Sequence, residues 1–226
     1  MDQPENSAQS VPDRGALAGR RFLVSWVLDA LGASLVVVGL VAGMSPVDRV
    51  ALLVGGALSL ELGGLRALSA LGPIPELRRR APRWSYLAGI AVATGYVALS
   101  LTVDPRVAEL LSVSPEIKLV ALGAAVAAGV LEELLFRAKL MDRLAKAGHG
   151  KVVQVLLSGL AFGAVHFWVF GGFGPALAAQ MFTALLGVVL ACVYLAAGRS
   201  VWPCALSHGL IDAVLEPALL LSFFVH

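Results

Sequence analysis

Seven apolar stretches, each about as long as a membrane is thick, run through this 226-residue chain and leave few folds open to it. A hydrocarbon core of about 30 Å is crossed by roughly 20 helical residues. The stretches at 22–43, 49–71, 84–103, 116–136, 152–171, 176–197 and 201–224 approach or meet that length. In lipid every backbone N–H and C=O must bond internally, so these stretches predict helices and the fold class is all-α, a polytopic transmembrane bundle of about seven helices. A 58% hydrophobic content, 14% charged residues and a mean hydropathy of +0.85 place the chain outside the range of water-soluble domains.

The charged residues collect between the stretches. Arg78, Arg79, Arg80 and Arg83 follow the second, Arg137, Lys139, Arg143, Lys146 and Lys151 surround the end of the fourth, and Arg199 follows the sixth. With alternating helices all of these fall on one side. The opposite connections hold Asp48 with Arg49, a mixed segment from Asp104 to Lys118, and an uncharged one from Trp168 to Pro175. The excess of Lys and Arg on one side places the amino terminus in the cytoplasm, the plasma membrane being the expected location.

Residues 1–18 are polar and include Pro4, Ser7, Ser10 and Pro12, so they are expected to lie disordered at the membrane surface, leaving 19–226 as one transmembrane domain. Residues 137–151 set Leu140, Met141 and Leu144 against basic neighbours, the pattern of an amphipathic extension at the cytoplasmic interface. Cys192 and Cys204 each sit in an apolar stretch and read as small hydrophobes. The expected surroundings are the bilayer; a net charge of +2 gives no reason to expect nucleic acid.

Ionisable groups inside apolar helices are costly and mark function by default. Here they are Asp29, Glu61, Arg66, Glu132, Glu133, Arg137, His166, His208, Asp212 and Glu216. Asp29, Glu61 and Arg66 read as interhelical pairing near helix ends. The others form three groups. In LEELLFR, Glu133 and Arg137 stand four apart on one helical face, where each offsets the other's burial. Glu132 points about 100° away, unpaired, and a carboxylate shielded from bulk water can take a proton from a water molecule and return it to a leaving amine. In FGAVH, Phe162 and His166 share a face, and Gly159 and Gly163 form a neighbouring stripe that permits close helix approach. In HGLID, Asp212 stands four residues after His208, where it can accept from an imidazole N–H and fix the tautomer, or face the reacting centre itself. Convergence of the three groups on one site is the expectation.

The order E-E-x-x-x-R, F-x-x-x-H and H-x-x-x-D on successive apolar segments resembles the CPBP family of CAAX proteases and bacteriocin-processing enzymes, also called the Abi family, over roughly residues 115–220. The resemblance implies an intramembrane endopeptidase acting on hydrophobic or lipidated peptides, prenylated CAAX-type substrates among them. It implies that Glu132 activates water, that His166 and His208 bind or polarise the scissile carbonyl, and that Glu133, Arg137 and Phe162 support them. Asp212 stands where the family has Asn or Asp. An ionised carboxylate cannot donate to an oxyanion as an amide can, so orienting His208 is the role expected of Asp212.

Glu132, His166, His208 and Asp212 also suit zinc by donor type, and the family was long described as metalloproteases. No H-E-x-x-H pair is present, and Glu132 cannot readily be both base and ligand, so a metal-free glutamate mechanism without a cofactor is favoured over zinc. Two other functions are compatible with the same residues. A non-proteolytic scaffold or immunity protein would use the motifs as polar contacts between helices. A small ion-coupled transporter would use Asp29, Glu61 and Arg66 as part of a path through the bilayer. Counting along the helices raises one difficulty: His166 lies about 20 Å from the start of its span, whereas Glu132 lies near the same-side end of its own. The two meet if the fourth helix continues past Arg137, or if the fifth begins inside the interface.

Overall fold

The computed structural model describes residues 14–41, 46–69, 75–103, 115–166 and 173–222, and every secondary-structure element among them is helical. In chain order these are α1 (Arg14–Val41), α2 (Pro46–Ser69), a 3-10 turn (Pro75–Arg78), α3 (Arg83–Val103) and α4 (Pro115–Glu133). Helix α4 runs on through a π-helical segment (Leu134–Leu140) into the short α5 (Met141–Lys146). There follow α6 (Lys151–Val165), α7 (Phe173–Ala196) and α8 (Trp202–Ser222). The seven long helices fall on the seven apolar stretches. Residues 14–18, expected to be disordered, are instead the first turns of α1, and residues 1–13 of that segment lie outside the described residues.

A set of polar side chains faces inward, and many large apolar ones face outward. Glu132, Glu133, Arg137, Gln154, Ser158 and His208 are buried, while Leu23, Trp26, Leu87, Leu119, Val152 and Met181 are exposed. A water-soluble bundle would show the reverse. The arrangement suits a bilayer, where acyl chains solvate the outer side chains and internal contacts satisfy the inner ones. By length and composition α3 is the one helix among the described residues apolar and long enough to cross a membrane outright. Helix α6 has 15 residues, roughly 22 Å of rise, and so is shorter than the crossing expected at 152–171.

Glycines set the helix spacings. A Cβ on Gly32 would meet Gly56 O at 2.7 Å, so α1 and α2 touch along their backbones, and Ser25 Oγ donates to Gly63 O at 2.7 Å across the same seam. The glycine face of α2 is taken up by α1, which turns the opposite face, carrying Val54, Glu61 and Leu65, toward α4. A Cβ on Gly129 of α4 would meet Gly209 N of α8 at 2.8 Å. On α6, a Cβ on Gly163 would meet Gln180 O of α7 at 2.7 Å, and one on Gly187 of α7 would meet Gly159 Cα at 2.9 Å. Side chains of ordinary size at these positions would hold the helices apart. Phe136, Phe162, Leu186, Leu190, Tyr194 and Ile211 fill the centre.

The helix continues past α4 to Lys146 with Met141 buried and Arg143 and Lys146 exposed, an amphipathic extension; but Arg137 and Lys139, at its start, are buried, because α6 packs against the π segment. Arg137 and Lys139 therefore do not belong among the loop charges. Phe136 O in the π segment accepts from Ser158 Oγ of α6 at 3.1 Å. The short connections at this end are tied to one another: Ser200 Oγ donates to Arg79 O at 2.8 Å and Trp202 Nε1 to Leu77 O at 3.0 Å. Arg199, held at φ 63° in the turn before α8, donates to Gln154 Oε1 at 2.7 Å.

Candidate active site

The continuation of α4 removes the difficulty of depth. Glu132 stands 14 residues from the end of α5 at Lys146, roughly 21 Å, and His166 stands 15 residues from the start of α6 at Lys151, roughly 22 Å. The two side chains reach the same height from adjoining ends of a helical hairpin. His166 itself caps the C-terminus of α6, its backbone N–H donating to Gly163 O at 3.1 Å.

The three groups converge. Glu132 Oε2 lies 3.8 Å from His166 Nε2 and 3.8 Å from His208 Nε2. His208 Nε2 lies 3.2 Å from Asp212 Oδ2, and its Nδ1 lies 3.0 Å from Glu133 Oε1. The other oxygen of Glu133 is 3.0 Å from Arg137 Nε, with both side chains fully buried. The close approach of α4 and α8 at Gly129 is what lets Glu133, one turn further on, reach His208.

Both imidazoles are held from behind. Glu133 is bound to a guanidinium and can only accept, so His208 Nδ1 carries a proton and donates it. His166 Nδ1 faces Phe162 O at 2.8 Å; a carbonyl accepts only, so this nitrogen donates as well. The Nε2 atoms of both rings are thereby turned toward Glu132. Fixing the tautomer of His208, expected of Asp212, falls to Glu133, while Asp212 engages the nitrogen that faces Glu132. Spacing along α8 shows His208 and Asp212 on one face, but nothing local shows Glu133 reaching across from α4.

Phe162 is the floor of the site. Its ring centroid lies 4.8 Å from that of His166 and 5.2 Å from that of His208, and the Arg137 guanidinium stacks over its face at 4.5 Å. Arg137 also donates to Gly187 O at 3.2 Å. The side chains of His166 and Asp212 are 23% and 22% exposed against 3% for His208, so the site opens on the His166 and Asp212 side.

Glu61 of α2 belongs to the same cluster. Its carboxyl group is within electrostatic range of Glu132, His208 and Asp212. The sequence treats it as helix-end pairing; the available signal is that Val54, Glu61 and Leu65 share a stripe opposite Gly56 and Gly63. Asp29 packs against Gly63 on the other face of α2, and Arg66 is exposed. The side chain of Glu216 lies outside the described residues.

Ligands at about 2.0–2.1 Å around tetrahedral zinc stand roughly 3.3 Å apart; His208 Nε2 and Asp212 Oδ2 meet that spacing at 3.2 Å, whereas Glu132 Oε2 stands wider, at 3.8 Å from each imidazole. Among the described residues no group of three or more His, Cys, Asp and Glu side chains is arranged to hold a metal ion.

A helical bundle that is apolar outside and gathers carboxyl groups, two imidazoles and a buried guanidinium inside defines a class: membrane-embedded proteins with a glutamate–histidine centre within the bundle. Residues 114–214, which carry all three motifs, match the family model described as Type II CAAX prenyl endopeptidase Rce1-like, consistent with the CPBP or CAAX protease family. That family is a membrane-embedded helical fold of proteases. No curated protein and no solved structure matches the chain.

Proposed function

We propose that this chain is an intramembrane endopeptidase that hydrolyses peptide bonds in hydrophobic or lipidated substrates, with Glu132 as the base that activates water. The observation that carries this reading is Glu132 Oε2: buried, without a hydrogen-bond partner, and flanked at 3.8 Å by the Nε2 atoms of two imidazoles from different helices. A water beside that oxygen gives its proton to Glu132 as its own oxygen bonds to the scissile carbonyl carbon. His166 and His208 face the carbonyl oxygen, His208 able to donate from Nε2 because carboxylates stand at both of its nitrogens, and Glu132 returns the proton to the nitrogen as the C–N bond breaks. Glu133 and Arg137 hold His208 in register, and no metal takes part in these steps.

An apolar substrate has a place to lie. A groove of about 200 Å³ between α3 and α7 is lined by Val92, Tyr96 and Leu99 on one side and Phe182, Leu185 and Val189 on the other. Tyr96 on its wall is within electrostatic range of Asp212. A prenyl chain or an apolar peptide side chain suits such a lining. The basic residues Arg78, Arg79, Arg80, Arg143, Lys146, Lys151 and Arg199, at the tied end of the bundle, orient it with that end and the amino terminus in the cytoplasm, in the plasma membrane.

The test is cleavage of a panel of hydrophobic and prenylated peptides by purified protein in detergent, comparing wild type with Glu132→Gln, each with and without a chelator. The expected result is cleavage by wild type that survives chelation and falls at least about 10²-fold in Glu132→Gln. Loss under chelation would move the mechanism to a metal, and cleavage undiminished in Glu132→Gln would remove the glutamate from it.

A further inference from the structure

A serine inside a helix ordinarily turns its hydroxyl back to a carbonyl one turn earlier in its own chain. Ser34 does so to Ala30 O at 2.7 Å, and Ser100 to Tyr96 O at 2.9 Å. Ser158 does not. It is fully buried in α6, and its Oγ donates across to Phe136 O of the π segment at 3.1 Å, 22 positions away in the chain. The acceptor is as unusual as the donor. A π turn is a rare, widened form of helix, and a carbonyl with two lone pairs can bond along its own helix and still take a donor from a neighbour. The segment also decides how the helix beyond it is turned. At about 100° per residue an uninterrupted α-helix would set Met141 about 80° round from Glu133. The wider turns take up more residues, so both side chains can face inward, and both are fully buried.

Ser158 stands one turn before Phe162 and two turns before His166 on the same helix. The two helices meet again between these levels: the Phe136 and Phe162 rings pack edge to face at 5.3 Å, and Arg137 lies over Phe162 at 4.5 Å. Ring contacts tolerate sliding, whereas a hydrogen bond has a set length and direction. We infer that Ser158 is a positioning residue for the proposed hydrolysis: its hydrogen bond to Phe136 O fastens α6 to the π segment of the glutamate helix and sets the level at which His166 faces Glu132. Ser158 takes no part in making or breaking bonds and acts only through the two helices it joins. A displacement of the reacting groups by about 1 Å is enough to cost on the order of 10²-fold in rate. The inference rests on the reading of Glu132 as the base with His166 beside it.

The experiment uses full-length protein in detergent and two variants. Ser158→Ala removes the donor at nearly constant size; Ser100→Ala, whose hydroxyl bonds back within α3, is the control. In peptide cleavage, Ser158→Ala is expected to lower kcat by at least about 5-fold, with KM within about 2-fold of wild type. Its melting temperature is expected to stay within about 4 °C of wild type, the loss of one hydrogen bond. Ser100→Ala is expected to match wild type in all three. A smaller fall in kcat, a loss carried by KM, a larger drop in melting temperature, or an equal loss in Ser100→Ala would overturn the inference. A second measurement does not depend on cleavage. With the backbone carbonyls of phenylalanine isotope-labelled, the infrared spectrum of Ser158→Ala is expected to show one labelled band moved to higher frequency, that of Phe136 freed from its hydroxyl donor, and Ser100→Ala to show none. If no band moves, Ser158 does not hold the π segment and the inference fails even where cleavage is seen. If the band moves but wild type cleaves no peptide, the tie between the helices stands and the proteolytic reading is what fails.

Discussion

Replacing Arg137 by Met leaves Glu133 as a buried charge without its cation. In wild type the pair is held by a 3.0 Å contact between two fully buried side chains, and Arg137 also donates to Gly187 O at 3.2 Å and lies 4.5 Å over the Phe162 ring. Removing one partner of a buried pair costs about 3 to 5 kcal/mol, because the remaining charge has lost both water and its counter-ion. With about 2 to 4 °C of melting temperature per kcal/mol for a chain of this size, the single variant is expected to melt roughly 6 to 20 °C below wild type in detergent. The double variant Glu133→Gln/Arg137→Met has no buried charge left at this place, and the introduced glutamine can still accept from His208 Nδ1. It is therefore expected to recover more than half of the loss. A single variant that melts within about 2 °C of wild type, or a double variant no more stable than the single one, would refute the claim that the pair is held together by burial.

Gly129→Ala is expected to lower stability by about 1 to 3 kcal/mol and kcat by more than 10-fold, because the added Cβ would stand 2.8 Å from Gly209 N and part the helices that bring Glu133 to His208. Gly123→Ala on the same helix, where nothing lies within 4 Å, is the matched control, and equal effects in thermal melts and cleavage assays would contradict the spacing argument. Phe162→Ala is expected to cost about 3 to 5 kcal/mol as a buried aromatic and to release both imidazoles it touches. Leu160→Ala, two residues away on the lipid-facing side with a 60% exposed side chain, should be close to neutral in the same melt.

The apolar stretches determined much by themselves. Twenty or so residues without water-soluble character have one way to satisfy their backbone in lipid, so the seven helices and their approximate bounds follow from length and composition alone. The pairing of Glu133 with Arg137, and the sharing of a face by Phe162 and His166 or by His208 and Asp212, follow equally from a period of 3.6 residues. What the sequence leaves open is everything that depends on the distance between helices. The stretch from Arg137 to Lys146 carries the charges of an interfacial loop, and its first part, Arg137, Lys139 and Met141, is buried because a π segment continues α4 and α6 packs upon it. That continuation puts Glu132 level with His166. The proton on His208 Nδ1 is set by Glu133, 75 positions away in the chain, through a close approach of α4 and α8 that Gly129 permits. Glu61 lies 71 residues before Glu132 and outside every motif, and it reaches the site because α1 occupies the glycine face of its helix and leaves the acidic one pointing inward. Local periodicity assigns a side chain to a face; the partner for that face is chosen by which helices can approach closely, and that choice is made by the tertiary structure.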